Sequence, residues 1–301
     1  MNYDEFRSAI YDSLRDAFPV NTGFESTTIV KNNDHKKDAI IITMPGSQVS
    51  PTIYPENYYG MYESGHTVEY ITSQILDGCI NSFDLSFPSS DLLYDMDYVR
   101  DRITFRLINA PMNKELLKGV PYVPYLDLAI VFFLLIDSND DLLSGFMIHD
   151  SHAAQWDLTT DELYSLALKN TPGLLPIKLS NISEFLCAHM EEHQDIADVL
   201  DYTSDYDLPM YIMSNEHNVS GAATLLYPDA ISSFAKKEGS DILILPSSIH
   251  EVILVPMSPG LTADYINEMI AAGNSTLSNP EEILSDHYYY YCLDRNEVIM
   301  P

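Results

Sequence analysis

The chain has 301 residues, with 15 Lys and Arg against 45 Asp and Glu, a formal charge of −30. So few bases exclude a protein that holds nucleic acid by its phosphates or sits on an anionic membrane face, since both need Lys and Arg. Hydrophobic residues at 46% exclude a disordered chain and allow a sizeable core.

Phe6, Ile10, Leu14 and Phe18 recur every four residues, which predicts a first helix. Its acids near the start and its lack of a continuous apolar stretch distinguish it from a signal peptide. Thr27–Val30 and Ala39–Thr43 predict a hairpin around NNDHKKD. Val68, Ile71, Ile75 and Cys79 mark one face of a helix over Thr67–Ile80. A short helix over Asp91–Val99 and a strand over Ile103–Asn109 follow. Leu126–Ile136 and Leu142–Ile148 predict a second hairpin around DSNDD. Its wholly apolar run, Leu128–Ile136, is far short of the ~20 residues of a membrane span and reads as a buried strand.

Thr159 and Glu162 form a capping box ahead of the helix DELYSLALKN, which Pro172 and Pro176 stop. Ile182, Phe185, Leu186, Met190, His193, Ala197 and Leu200 predict another helix. Met210–Met213 predicts a strand and Pro228–Lys237 a helix. Strands over Ile242–Leu245 and Glu251–Val255 flank PSSIH. A helix over Thr262–Ala272 and a strand over His287–Leu293 complete the chain. Strands in hairpin pairs, with helices between the pairs, predict an α+β fold of mostly antiparallel sheet. The Pro-containing GVPYVPY stretch suggests an N-terminal region, 1–118, and a C-terminal region, 119–301, with one compact unit as the alternative. Three well-separated cysteines, Cys79, Cys187 and Cys292, fit free thiols in a reducing cytoplasm.

Four polar clusters are candidates for chemistry. In PSSIHE, Ser247, Ser248, His250 and Glu251 could supply a hydrolase's nucleophile, base and carboxylate, with Asp286 a further carboxylate. The alternative is a turn whose hydroxyls bond backbone. Asn215, Glu216 and His217 form a second polar junction, which meets PSSIH if their strands are neighbours. His189 and His193 in HMEEH lie one helical turn apart and match an inverted zinc-protease pattern with Glu192 as base; the alternative is a solvated acidic helix. Asp137, Asn139 and Asp141 begin a calcium-loop pattern, but Leu142 and Ile148 occupy its Gly and Glu positions, which leaves a polar hairpin turn. No glycine-rich phosphate loop occurs, and no cofactor is expected.

Tyr288–Tyr291 alternate along a strand, two inward and two outward, and Tyr289 and Tyr291 are the candidates for contact with a partner. Tyr58, Tyr59 and Tyr62 add aromatic surface. Charge is blocky. Residues 39–99 hold eight acids and residues 179–235 hold ten, and neither stretch contains a Lys or Arg. Such stretches raise the on-rate toward a basic partner and can occupy a nucleic-acid groove by mimicry.

Five runs occur in order: RLINAPMNKELLKGVPYVPYLDLAIVFFLLI, DELYSLALKNTP, MYIMSNEHNVSGAATLLYP, LILPSSIHEVILVP and NPEEILSD. Together they resemble a bacterial family, domain of unknown function 5688, across nearly the whole chain. The resemblance implies a shared fold and a cytosolic bacterial setting, and it supplies no catalytic residues.

The expected function is therefore that of a non-enzymatic, cytoplasmic interaction protein that binds a protein with a basic surface. One version is an inhibitor of a nucleic-acid-binding protein. The alternatives are a hydrolase at PSSIHE and a zinc site at HMEEH.

Overall fold

Phe6, Ile10 and Leu14 line one face of helix α1 (Tyr3–Ala17) and are fully buried. Asn2 and Glu5 close a capping box at its start, satisfying backbone donors that the first turn leaves without partners. The structure, a computed structural model, describes residues 1–46, 50–83, 90–139, 142–182, 209–258, 261–277 and 279–301. The chain divides into two units, residues 1–31 with 35–94, and residues 32–34 with 95–301.

In the first unit, β1 (Gly23–Val30), β2 (Lys36–Thr43) and β3 (Thr52–Ile53) form an antiparallel sheet with β2 in the middle. Helices α2 (Glu56–Glu63) and α3 (Val68–Phe83) follow. Ile40, Ile42 and Ile53 of the sheet share a core with Phe6, Ile10 and Leu14 of α1 and Ile71, Ile75 and Cys79 of α3. Each such burial contributes roughly 1.5–3 kcal/mol. Tyr58, Tyr59 and Tyr62, expected as aromatic surface, pack against this core instead. Phe6 meets the Tyr59 and Tyr62 rings at 5.3 Å between centroids.

The second unit begins with α4 (Met96–Arg100) and builds two antiparallel sheets. The first holds β4 (Ile103–Asn109), β5 (Tyr122–Tyr125), β6 (Leu128–Asn139) and β7 (Leu142–Met147), with β6 pairing the other three. Both faces of β6 are covered, so Leu128–Phe132 are all buried and the sequence there is continuously apolar. Helix α5 (Asp150–Gln155) leads to α6 (Thr160–Leu174), which packs on β4. Thr171 ties them: its hydroxyl accepts the Phe105 N–H at 3.2 Å and donates to the Ala167 carbonyl at 2.6 Å. Pro172 does not stop α6 where the sequence predicts. It stands in the last turn, and the helix ends two residues later.

Among the described residues the second sheet has six strands: β8 (Ile177–Asn181), β9 (Tyr211–Asn215), β10 (Ile242–Pro246), β11 (Val252–Pro256), β12 (Tyr289–Cys292) and β13 (Glu297–Ile299). Their order is β13-β12-β10-β11-β9-β8. Helix α7 (Ala230–Glu238) precedes β10, and α8 (Ala263–Thr276) follows β11. Ile212, Leu243, Leu245, Ile253 and Val255 form one core with Ile266, Met269 and Ile270 of α8.

The fold is α+β with antiparallel sheets, as the hairpin pattern predicts. The contacts do not follow the expected division at 118/119. β4 pairs with β6 from Ile103 to Asn109, so residues 95–118 belong to the same unit as the chain beyond 119. GVPYVPY is not a linker either; it contains β5, whose Pro124 is tolerated because, among the described residues, that strand pairs on one side only. Residues 32–34 join the second unit through side chains. The Asn33 amide donates to the Pro280 and Ile283 carbonyls at 2.8 Å, and its backbone N–H donates to Asn113 Oδ1 at 2.7 Å. The Asp34 carboxylate accepts the N–H groups of Glu115 and Leu116. Among the described residues, no helix is long and apolar enough to cross a membrane.

Candidate functional site

β9 pairs with β11, so the turns after β9 and between β10 and β11 lie at the same end of the sheet. The two polar junctions meet there. Ser214 Oγ donates to the His250 carbonyl at 2.7 Å, and the Ser220 N–H donates to His250 Nδ1 at 3.1 Å. The second bond leaves the imidazole proton on Nε2 in the neutral ring. Gly221 permits the close approach. A Cβ there would strike Ser214 Oγ and come within 2.5 Å of the His250 carbonyl and 2.8 Å of the Asn215 nitrogen.

Within PSSIHE, Ser248 Oγ donates to Glu251 Oε1 at 2.8 Å and accepts the backbone N–H of His250 at 2.9 Å. Both side chains are buried. The Ser248 proton therefore goes to a carboxylate, while the His250 ring faces the Ser220 amide. Ser247 stands beside them, half-buried. This geometry stabilises a turn and pairs the Ser248 hydroxyl with Glu251 instead of the His250 ring. Asn215 is buried and closes its own turn, donating to the Val219 carbonyl at 2.7 Å and accepting the His217 N–H at 3.0 Å. Glu216 is exposed and His217 half-buried. His189 and His193 lie outside the described residues, as do eight of the ten acids of the second base-free stretch.

Tyr289 and Tyr291 require a correction. They are 0% and 2% exposed, facing inward opposite Ile244 and Ile242, so neither can touch a partner. Tyr288 and Tyr290 take the other face, where they pack against the α8 core. The alternation is as expected; the outward pair is the opposite one, and both faces of the strand are covered.

Tyr289 belongs to a cluster that the sequence did not reveal. Its hydroxyl donates to Asp127 Oδ1 at 2.6 Å, and Ser285 Oγ donates to Asp127 Oδ2 at 2.7 Å. His287 Nδ1 lies 3.5 Å from Asp127 Oδ2 and 2.8 Å from Asp286 Oδ1. Burial and the bond to Asp127 push the Tyr289 hydroxyl far above the ordinary tyrosine range, so it is a permanent donor. Asp286 thus pairs with its neighbour His287. The β5–β6 turn sets Asp127 in place. It joins Tyr125 to Leu128 through two residues, with Leu126 left-handed at φ 56°. His287 also lines a cavity of about 200 Å³ with Asn267, Tyr288, Met300 and Pro301.

Surface charge is the remaining feature. Among the described residues, several bases are already engaged. Arg7 lies 2.8 Å from Asp38, Lys37 3.5 Å from Glu56 and Lys118 2.6 Å from Glu115, and Arg102 stacks on Tyr98. Many acids of the base-free stretch 39–99 face solvent. Glu63 at the end of α2 and Glu69 and Asp77 on α3 are exposed, as are Tyr70, Ser73 and Gln74 between them.

The sequence matches a family of unknown function, domain of unknown function 5688, over residues 3–293. The chain belongs to this family. The match spans both units and includes the Asp127 cluster and the two junctions, as the five sequence runs imply. No curated protein and no solved structure matches the chain.

Proposed function

We propose that this member of the family is a non-enzymatic binding protein that holds a basic polypeptide against its acidic surface, in a bacterial cytoplasm. The observation that carries the reading is the outward face of α3. Glu69, Tyr70, Ser73, Gln74 and Asp77 are exposed there, beside Glu63, in a stretch without a single Lys or Arg. Such a face attracts a basic partner over a distance set by ionic strength. Tyr70, stacked on His66 at 4.9 Å, adds an aromatic surface with a polar tip, a residue type enriched at interfaces. A partner whose basic groove normally holds nucleic acid would then be inhibited by occupancy of that groove. PSSIHE carries no second reading here, because the Ser248 proton is committed to Glu251 and His250 Nδ1 accepts the Ser220 N–H.

The test begins with partners captured from a bacterial lysate and continues with quantitative binding. Affinity is expected to fall about tenfold or more between low and high salt, because exposed charges are screened. The E63K/E69K/D77K chain, shown to be folded by circular dichroism, is expected to lose a similar amount. Affinity insensitive to both salt and charge reversal would refute the reading. Competition by DNA or RNA for the captured partner separates the inhibitor version from simple association.

A further inference from the structure

Asp127, Asp286 and His287 bring three metal-ligand atoms within 4.8 Å of one another. We propose that they form a binding site for a divalent transition-metal ion of the zinc class, with one coordination position open toward the cavity beside His287.

The ligand set differs from a solvated acidic patch in three ways. One member is an imidazole, whose Nδ1 faces both carboxylates; a nitrogen ligand favours zinc-class ions over calcium or magnesium. The spacing fits. A tetrahedral ion with bonds of about 2.0–2.1 Å has ligand–ligand edges of about 3.3 Å. The separations from Nδ1 are 2.8 and 3.5 Å. The third difference is burial. The Asp127 side chain is only 10% exposed, yet no Lys or Arg pairs with its charge among the described residues. Its ion-pair partner among the described residues is the His287 imidazole at 3.5 Å, charged only if protonated, and a bound metal ion would supply a permanent positive charge there.

The surroundings of Asp127 match those of a held ligand. Tyr289 and Ser285 donate to its two oxygens, as outer partners commonly do for ligating carboxylates. Oδ2 keeps a further lone pair on the side of His287. Asp286 and His287 have side chains 80% and 56% exposed, so they can rotate onto an ion while the core stays fixed. Three protein ligands leave a fourth position for water or a small anion, as in sites that exchange a ligand. Neutral His287 would bind through Nδ1 and carry its proton on Nε2.

The test uses the full chain, stripped with a chelator, and titrated calorimetrically with Zn²⁺ at moderate salt. Co²⁺ absorption serves as a second readout that reports nitrogen ligation and geometry. One equivalent of Zn²⁺ is expected to bind. D286N and H287A, both at exposed positions, should each weaken it about tenfold or more, and Y289F should weaken it by loosening Asp127. The H189A/H193A chain should bind as the parent does. Zn²⁺ affinity unchanged by D286N and H287A would overturn the proposal. So would loss of binding in the H189A/H193A chain alone, or Zn²⁺ binding no stronger than Ca²⁺ binding and abolished by salt.

Discussion

Replacing Gly221 by alanine tests whether the two polar junctions are locked together. The added methyl would overlap Ser214 Oγ and press on the His250 carbonyl and the Asn215 nitrogen at 2.5 and 2.8 Å. The serine can rotate, at the cost of its 2.7 Å bond to the His250 carbonyl, worth about 1 kcal/mol. The two backbone atoms belong to paired strands and their connecting turns, so relieving them means overpacking strain of about 1–3 kcal/mol. Alanine returns about 0.4–1 kcal/mol by restricting the unfolded chain. The balance is a loss of about 1–3.5 kcal/mol, centred on ~2 kcal/mol. The single tryptophan, Trp156, is buried in the same unit, so its fluorescence during urea unfolding reports this region. The midpoint is expected to fall by roughly 1 M for a slope of about 2–3 kcal/mol per molar. Gly173→Ala in α6 is the control, because a Cβ there meets nothing within 4 Å. It should leave the midpoint unchanged or raised. If Gly221→Ala behaves like Gly173→Ala, the close approach at this turn does not hold the strands.

Two further predictions concern hydrogen bonds and pH. Asn33→Ala removes donors to the Pro280 and Ile283 carbonyls and a left-handed residue type that suits φ 59°. It should destabilise the second unit by about 2–4 kcal/mol, read by the same urea midpoint; Asn33→Gly, which restores the backbone freedom alone, should recover only part. Burial raises Tyr125 to about 12, and Tyr227 and Tyr289 higher still. A folded pKa above the unfolded value means stability fully present below about pH 10 and lost as pH rises through the folded value. An ultraviolet titration should therefore show a set of late-ionising tyrosines that joins the main transition once the chain is denatured. A single native transition near pH 10 would contradict this.

The elements most legible in the sequence are those with one dominant periodicity. α1 shows its four-residue spacing, and β6 shows a continuous apolar run because both its faces are covered. β8 left no such mark. Ile177 and Leu179 are 42% and 43% exposed, so its apolar residues do not define an inward face. The tyrosine strand illustrates a different limit. Alternation assigns residues to two faces, but with both faces covered the pattern carries nothing to orient it. The meeting of SNEH with PSSIH was readable as a consequence of strand adjacency. The Asp127 cluster was not, because 158 residues separate Asp127 from Ser285 and only the fold closes that distance. The adjacent Asp286 and His287, next to a tyrosine strand, were the one local hint.

The placement of residues 32–34 has a consequence for how this protein can be divided. The second unit is not one continuous stretch of chain: three of its residues are supplied from within the sequence of the first. A polypeptide starting at Asp95 would retain both sheets of the second unit but lose the Asn33 amide and the Asp34 carboxylate. Asn113, at 0% exposure, would keep its bond to the Asn109 carbonyl and lose both bonds to Asn33. Excision at the unit boundary therefore removes residues on which the second unit's own hydrogen bonds depend: a gene fragment encoding residues 95–301 alone leaves that unit incomplete, while one encoding residues 1–94 carries the whole of the first unit and three residues of the second.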